Sequence, residues 1–194
     1  MNLYLIRHGN TYWNTLGKIQ GSRDIVLDDK GIEEAMILRN YIKNLSIDIF
    51  VSSPLQRAIC TTKILNVDNL PLIIENSLSE LNFGAWEGMI WNDVKVKYET
   101  YISQNTSHGY TNPPNGDTYD DAYTRISNAT KKIIDMPHHN VAIITHRAVI
   151  RFMLGHLLNE NLENINTFEL PNTCIVKLTN NDNPQHWSFE SLIL

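Results

Sequence analysis

Four clusters of polar residues follow short apolar runs, and together they carry the groups that phosphoryl chemistry needs. They are Arg7-His8-Gly9-Asn10-Thr11, Ser52-Ser53-Pro54-Leu55-Gln56-Arg57, the segment holding Glu80, and Thr145-His146-Arg147. A phosphomonoester is a dianion and repels anionic nucleophiles. A neutral imidazole avoids that repulsion and forms a covalent phosphohistidine. His8 is the candidate nucleophile, and it must be unprotonated to attack. The like charges of Arg7 and Arg57 favour its neutral form. The transferring phosphoryl group spreads charge over three oxygens, so catalysis is largely positioning and electrostatics. Arg7, Arg57 and a donating or protonated His146 can clamp those oxygens through charge-assisted bonds. Asn14 can add a neutral donor. The leaving alkoxide needs a proton. Glu80 is the candidate general acid, and then the base that activates water. Glu75 and Glu87 lie near enough in sequence to compete for that role. Nearby arginines lower the pKa of Glu80 and a bound phosphate raises it, so Glu80 is expected to become a good acid only with substrate bound. The histidines lack metal-ligand spacing such as His-Glu-x-x-His, and neither a catalytic metal nor another cofactor is expected.

These clusters need elements that bring them together. Leu3-Tyr4-Leu5-Ile6 is a continuous apolar run that stops at Arg7, and it reads as a buried parallel strand feeding a loop. Residues 47–51, 72–74 and 141–144 read as further strands, and 175–178 and 187–189 as late ones. Between them, apolar residues recur at helical spacing. One set is Ile32, Ala35, Leu38, Ile42 and Leu45; a second is Leu55, Ala58, Ile59, Thr62 and Leu65; a third is Tyr119, Ala122, Ile126, Ala129 and Ile133. Asp28 or Asp29 is the expected cap of the first helix. Ser53 is the expected cap of the second, with Pro54 in its first turn. Residues 148–158 predict a helix that is apolar nearly all round. Strands alternating with helices predict an α/β fold: a three-layer α/β/α sandwich around a mostly parallel sheet. Ligands in such folds bind beyond the carboxyl ends of the strands, where the polar clusters sit. Residues 86–117 are less regular, broken by Gly88, Gly109, Pro113, Pro114 and Gly116. They read as a small cap inserted into a single domain spanning 1–194.

The 194 residues hold 16 Lys and Arg against 21 Asp and Glu, a formal net charge of −5. That argues against a broad basic face for nucleic acid but allows a small basic pocket for an anionic metabolite. No apolar stretch approaches the ~18 residues of a membrane span. The first apolar run is too short for a signal peptide. Cys60 and Cys174 are the only cysteines, which rules out a disulfide framework and points to a reducing compartment, the cytoplasm. The expected partner is a small phosphomonoester, with no nucleic acid and no membrane, and a homodimer stays open.

Several longer segments recur in one order. They are Leu5-Ile6-Arg7-His8-Gly9 with Thr11 and Trp13-Asn14; Ser52-Ser53-Pro54-Leu55 with Arg57-Ala58; Glu80-Leu81-Asn82-Phe83-Gly84-Ala85-Trp86-Glu87-Gly88; and Thr145-His146 with Val149-Ile150-Arg151. Together they resemble the histidine phosphatase superfamily, in the branch that includes phosphoglycerate mutases and small phosphatases. Asn115-Gly116-Asp117-Thr118 resembles the family's Gly-Glu-Ser turn. The resemblance implies a phosphoglycerate mutase-like fold, and it gives His8, Arg7, Arg57, Glu80 and His146 the roles argued above, with Asn14 as a further phosphate donor. Two positions depart from the pattern. Asn10 stands where the family usually has Glu or Gln. Arg147 follows His146 where the family commonly has Gly, so Arg147 either points away from the site or adds a substrate contact.

Outside these motifs, Arg151 is expected to be a structural ion-pair partner. His108, His138, His139, His156 and His186 are expected to be ordinary surface or core residues. Trp86, Trp91, Tyr98, Tyr101 and Tyr110 either line a substrate pocket or pack a small cap. Three functions fit. A phosphatase, α-ribazole phosphatase-like or broad in specificity, uses water as acceptor. A phosphoglycerate mutase-type transferase must exclude water and needs extra cations for a carboxylate. No arginine lies between Arg57 and Arg125, and the chain ends soon after its last strand, which favours the phosphatase and a substrate with a neutral or apolar remainder. A non-catalytic domain that binds phosphorylated ligands is the third reading, and the intact set of His8, Arg7, Arg57, Glu80 and His146 argues against it.

Overall fold

Alternate residues of the apolar runs face opposite ways, and this alternation builds two cores on one sheet. The computed structural model describes residues 1–180 and 186–192. Its elements are β1 (Asn2–Arg7), α1 (Tyr12–Thr15), α2 (Asp29–Ile42), β2 (Ile49–Ser52), α3 (Gln56–Leu65), β3 (Leu72–Ile74), α4 (Trp91–Lys97), α5 (Glu99–Asn105), β4 (Thr106–Ser107), β5 (Tyr110–Thr111), α6 (Tyr119–Ile134), β6 (Asn140–Thr145), α7 (Arg147–Leu158), α8 (Leu162–Ile165), β7 (Ile175–Thr179) and β8 (Ser188–Leu192). Single 3-10 turns sit at Asn76–Leu78 and Gly84–Trp86. The main sheet runs β3-β2-β6-β1-β7-β8. Strands β3, β2, β6 and β1 are parallel, and β7 and β8 are antiparallel additions.

On one face Leu3, Leu5, Val51, Val141, Ile143 and Val176 pack with Ile126 and Ile133 of α6 and Ile150, Met153 and Leu154 of α7. On the other, Tyr4, Ile6, Phe50, Ala142, Ile144 and Ile175 pack with Leu38 and Ile42 of α2 and Ala58 and Leu65 of α3. Sheet and helices thus form the expected three layers. Truncating one of these central side chains, as in Leu5→Ala, removes buried contacts worth about 2–5 kcal/mol.

The register decides where chemistry can occur. Arg7 pairs with Thr145, and Ser52 pairs with Ile144, so the carboxyl ends of β1, β2 and β6 lie side by side. α2 is capped by Asp28, whose side chain accepts from the Gly31 amide at 2.8 Å, as the sequence predicts. Its buried stripe is Gly31, Ala35, Leu38 and Ile42; Leu45 lies past the helix end. Ser53 is not the cap of the next helix. α3 begins at Gln56 after Leu55, which makes no side-chain cap bond, because the Ser53 hydroxyl is committed to His146 at 2.7 Å. β3 differs from the other parallel strands in lying at the sheet edge with each residue 38–44% exposed. The irregular stretch after Trp86 folds into α4, α5 and the β4–β5 ribbon. There Trp86 is buried and meets Trp91, Tyr98 and Tyr101 edge to face.

Candidate active site

His8 follows β1 directly, and its amide donates to the Thr145 carbonyl at 3.0 Å, locking the β1 and β6 exits together. The ring is buried, and Nδ1–H donates to the Gly9 carbonyl at 2.7 Å. That bond fixes the tautomer and leaves the Nε2 lone pair free for attack. Burial first, then Arg57 and Arg7, hold the His8 pKa well below the usual 6.5, against the opposing bond to Gly9. The neutral nucleophile argued from the two arginines is therefore secured mainly by desolvation. The loop is tied down on every side. Gly9 N–H donates to Thr61 at 3.0 Å. The Asn10 side chain donates to Asp28 and Thr15, so this departure from the family pattern links the nucleophile's loop to the cap of α2. A Cβ on Gly9 would meet the Gly31 carbonyl oxygen at 2.5 Å, and a Cβ on Gly31 would collide with the Asn10 carbonyl.

The candidate phosphate donors lie close to this ring. Arg57 is fully buried in the first turn of α3, and its Nη atoms donate to the Arg23 and Gly21 carbonyls at 2.6 and 2.9 Å. Arg7 donates through Nη1 to the Leu170 carbonyl at 2.6 Å. Burial, and secondly Arg147, push the Arg7 pKa down to about 10, which leaves it charged at neutral pH. The His146 ring lies 5.2 Å from that of His8. The Ser53 hydroxyl accepts from the Leu55 amide and shares a 2.7 Å hydrogen bond with His146 Nε2. Burial, then Arg57 and His8, hold the His146 pKa well below 6.5. Arg7 Nε, Arg57 Nε and His146 Nδ1 are all buried without a protein hydrogen-bond partner. Asn14 uses its side-chain oxygen in a capping box with Thr11, so its amide nitrogen is the group left for a ligand.

Glu80 enters from the turn after β3. That turn is anchored by Thr145, whose hydroxyl donates to the Leu78 carbonyl at 2.8 Å, and by Arg125, which donates to the Ser77 and Ser79 carbonyls at 2.8 and 2.9 Å. Arg125 is also paired with Asp117 at 3.2 Å. Burial raises the Glu80 pKa above the usual carboxylate value, and this outweighs the opposing pull of Arg57, the Leu81 amide, Arg147 and Arg7. The protonated form is therefore favoured relative to a free carboxyl even without a bound phosphate. Its two competitors are engaged elsewhere. Glu75 caps the Asn76–Leu78 turn, and Glu87 accepts from Ser22 and Arg23 in the loop that receives Arg57.

A cavity of about 660 Å³ opens above these groups. Arg7, His8, Asn14, Arg57 and Glu80 form its floor, while Phe83, Trp91, Tyr110, Phe152 and Leu162 line its upper part. His146 is not among the lining residues, but its ring stands next to that of His8. Tyr98 and Tyr101 pack on Trp86 and are not in the lining. Arg147 lines the cavity and so does not point away from it. Arg151 lines it too and makes no ion pair among the described residues, so the ion-pair expectation for it is corrected: its Nη2 contacts the Asn166 and Phe168 carbonyls.

Asn172 escaped the sequence analysis. Its amide donates to the His8 carbonyl at 2.9 Å, to the Gly9 carbonyl at 3.2 Å and to the Asn14 oxygen at 3.3 Å. It precedes β7, which runs antiparallel to β1, so its start abuts the β1 exit. Inspecting only the exits of strands misses such a residue.

The model of the histidine phosphatase superfamily (branch 1) matches residues 3–192. The chain belongs to this superfamily. The uncharacterized phosphatase PhoE of Bacillus subtilis is 31% identical over 88% of this chain and 84% of its own. A crystal structure of a putative α-ribazole-5'-P phosphatase from Escherichia coli superposes with a TM-score of 0.87 at 25% identity, covering 100% of this chain and 96% of that one. The phosphoserine phosphatase of Entamoeba histolytica, solved with 3-phosphoglyceric acid, gives a TM-score of 0.80 at 28% identity with the same coverage. In this histidine phosphatase no three His, Cys, Asp or Glu side chains come together as metal ligands among the described residues. No helix among them is long and apolar enough to cross a membrane.

Proposed function

We propose that this histidine phosphatase hydrolyses small phosphomonoesters, without a metal, through a phosphohistidine on His8. The observation that carries this reading is the pair Arg7 Nε and Arg57 Nε, buried without protein acceptors on two side chains that line the same cavity as His8, whose Nε2 lone pair is free, with the His146 ring 5.2 Å from that of His8. Buried donors are costly to leave unpaired, and phosphoryl oxygens satisfy both. His8 Nε2 attacks phosphorus and the bond to the leaving oxygen breaks, while protonated Glu80 delivers its proton to that oxygen. The Glu80 carboxylate then takes a proton from water, the water oxygen attacks phosphorus, and the P–N bond breaks. The two guanidinium groups supply the positive charge that a metal would otherwise bring.

Relatives named as phosphatases of α-ribazole-5'-P and phosphoserine support water as acceptor and a small substrate. The chain reads as one domain in which residues 86–117 cap the cavity, since Trp86, Trp91, Gly109, Tyr110 and Thr111 border it. Unbridged Cys60 and Cys174 support a cytoplasmic location. The test is phosphate release from a panel of esters in EDTA, with rapid quench and trapping of an acid-labile phosphoprotein. Release and a trapped adduct that turns over are expected. Isomerisation of 3-phosphoglycerate primed by bisphosphoglycerate, with no net phosphate release, would overturn the reading in favour of a mutase.

A further inference from the structure

We propose that Arg147 and Arg151 form a second anion subsite, so that preferred substrates carry a further anionic group beside the scissile phosphoryl. This deepens the phosphatase reading above and rests on it. The first observation is charge. A protein of net charge −5 places Arg7, Lys18, Arg57, Arg147 and Arg151 around one cavity, against a single carboxylate, Glu80. Arg7 and Arg57 already balance a phosphate dianion. The arginines absent between Arg57 and Arg125 are supplied instead by α7.

The second observation is pairing. The ion pairs among the described residues are Arg23–Glu87, Lys30–Glu34, Arg125–Asp117 and Lys177–Glu190. Neither Arg147 nor Arg151 belongs to them. Arg151 reaches the Asn166 and Phe168 carbonyls at 3.3 and 3.4 Å, both long, and its Nε is buried with no partner.

The third is placement. Arg147 and Arg151 stand four residues apart on α7, on one face and about 6 Å apart along the axis. α7 starts directly after His146, so Arg147 is nearest the floor and Arg151 lies one turn further along the helix. Two like charges at this spacing repel each other. Arg147 also depresses the pKa of Arg151 and of Arg7. A carboxylate or second phosphate on the substrate relieves that repulsion through charge-assisted bonds.

Matched esters test the idea. One pair is 3-phosphoglycerate and glycerol 3-phosphate, which differ by a carboxylate against a neutral hydroxymethyl. The other is propane-1,3-diol bisphosphate and its monophosphate. The expected result is a kcat/KM ratio of about tenfold or more for the anionic member of at least one pair, and the pair concerned identifies the group. Arg151→Gln and Arg147→Gln are each expected to cut that ratio about tenfold through the KM of the anionic ester, with Arg147→Lys retaining most of it. Arg147 is exposed in the first turn of α7, so its variants keep the test intact if Arg151→Gln does not fold. A wild-type ratio near one, or a ratio unmoved by both Gln variants, overturns the subsite while p-nitrophenyl phosphate is still hydrolysed. No hydrolysis of p-nitrophenyl phosphate either overturns the phosphatase reading and the subsite with it.

Discussion

The floor and the mouth of the cavity are built on different principles. The floor is built chiefly at the exits of three adjacent parallel strands, β1, β2 and β6, with Glu80 from the turn after β3, and its His8, Arg7 and Arg57 are buried and held by bonds to main-chain carbonyls. The mouth comes from short elements, α4 and the β4–β5 ribbon, together with α7 and α8, and it is lined by aromatic and cationic side chains. The floor spends stability to hold polar groups without protein partners; the mouth places its groups on surfaces that can change. Reactivity is therefore expected to follow the floor, and selectivity the mouth.

The largest effect that tests this division is on the nucleophile. His8→Ala should lower turnover on the order of 10⁴-fold or more, with no phosphoprotein in rapid-quench experiments. A residual burst of phosphoprotein in that variant would move the nucleophile elsewhere. Glu80→Gln comes next, with a loss of about 10²–10⁴-fold for alkyl esters. Aryl esters, whose leaving groups need no proton, should lose far less. The wild-type rate on alkyl esters should also fall as pH rises and Glu80 gives up its proton, with a weaker alkaline fall for aryl esters. Equal losses for both classes would remove Glu80 as the acid.

Asn172→Leu should lower kcat about tenfold with a smaller change in KM, because it loosens the His8–Gly9 carbonyls, and Asn172 makes no hydrogen bond to Arg7 or Arg57. A fall confined to thermal stability would make it merely structural. A similar-sized effect is expected on stability against pH. Native His8 and His146 stay neutral below 6.5, whereas the unfolded chain protonates both. The stability they confer is present above about pH 6.5 and is lost as pH falls, by up to ~1.4 kcal/mol per pH unit for each histidine. Urea melts at pH 5 and pH 7 should show it, and His146→Gln should flatten the slope. The smallest effect is at the mouth. Trp91→Ala should change kcat on p-nitrophenyl phosphate by about threefold or less, within the range of a lost apolar contact, while shifting the ranking of bulky esters. A large uniform loss would erase the contrast between the two regions.

The same contrast governs what could be read from sequence. Floor residues follow strands whose apolar runs are unmistakable, so His8, Arg57 and His146 could be located from their neighbours alone. Glu80 is legible as a candidate acid, but the direction of its pKa is not, because desolvation depends on the fold around it and arginine proximity argues the other way. Ser53 looked like a helix cap because nothing local shows that His146 takes its hydroxyl. Asn172 and Arg151 were hidden for topological reasons. One sits before an antiparallel strand, and the other reads as an ion-pair partner because only the fold shows that no carboxylate among the described residues pairs with it and that it lines the cavity.

The contact between Gly9 and Gly31 closes a mutational route in both orders. A side chain at either position strikes the opposite main chain, so no single substitution can begin to widen the gap. Evolution, natural or in the laboratory, is thereby steered away from the nucleophile's loop. Libraries that randomise the lining at Phe83, Trp91, Arg147 and Arg151 can explore new substrates against an unmoving reaction centre.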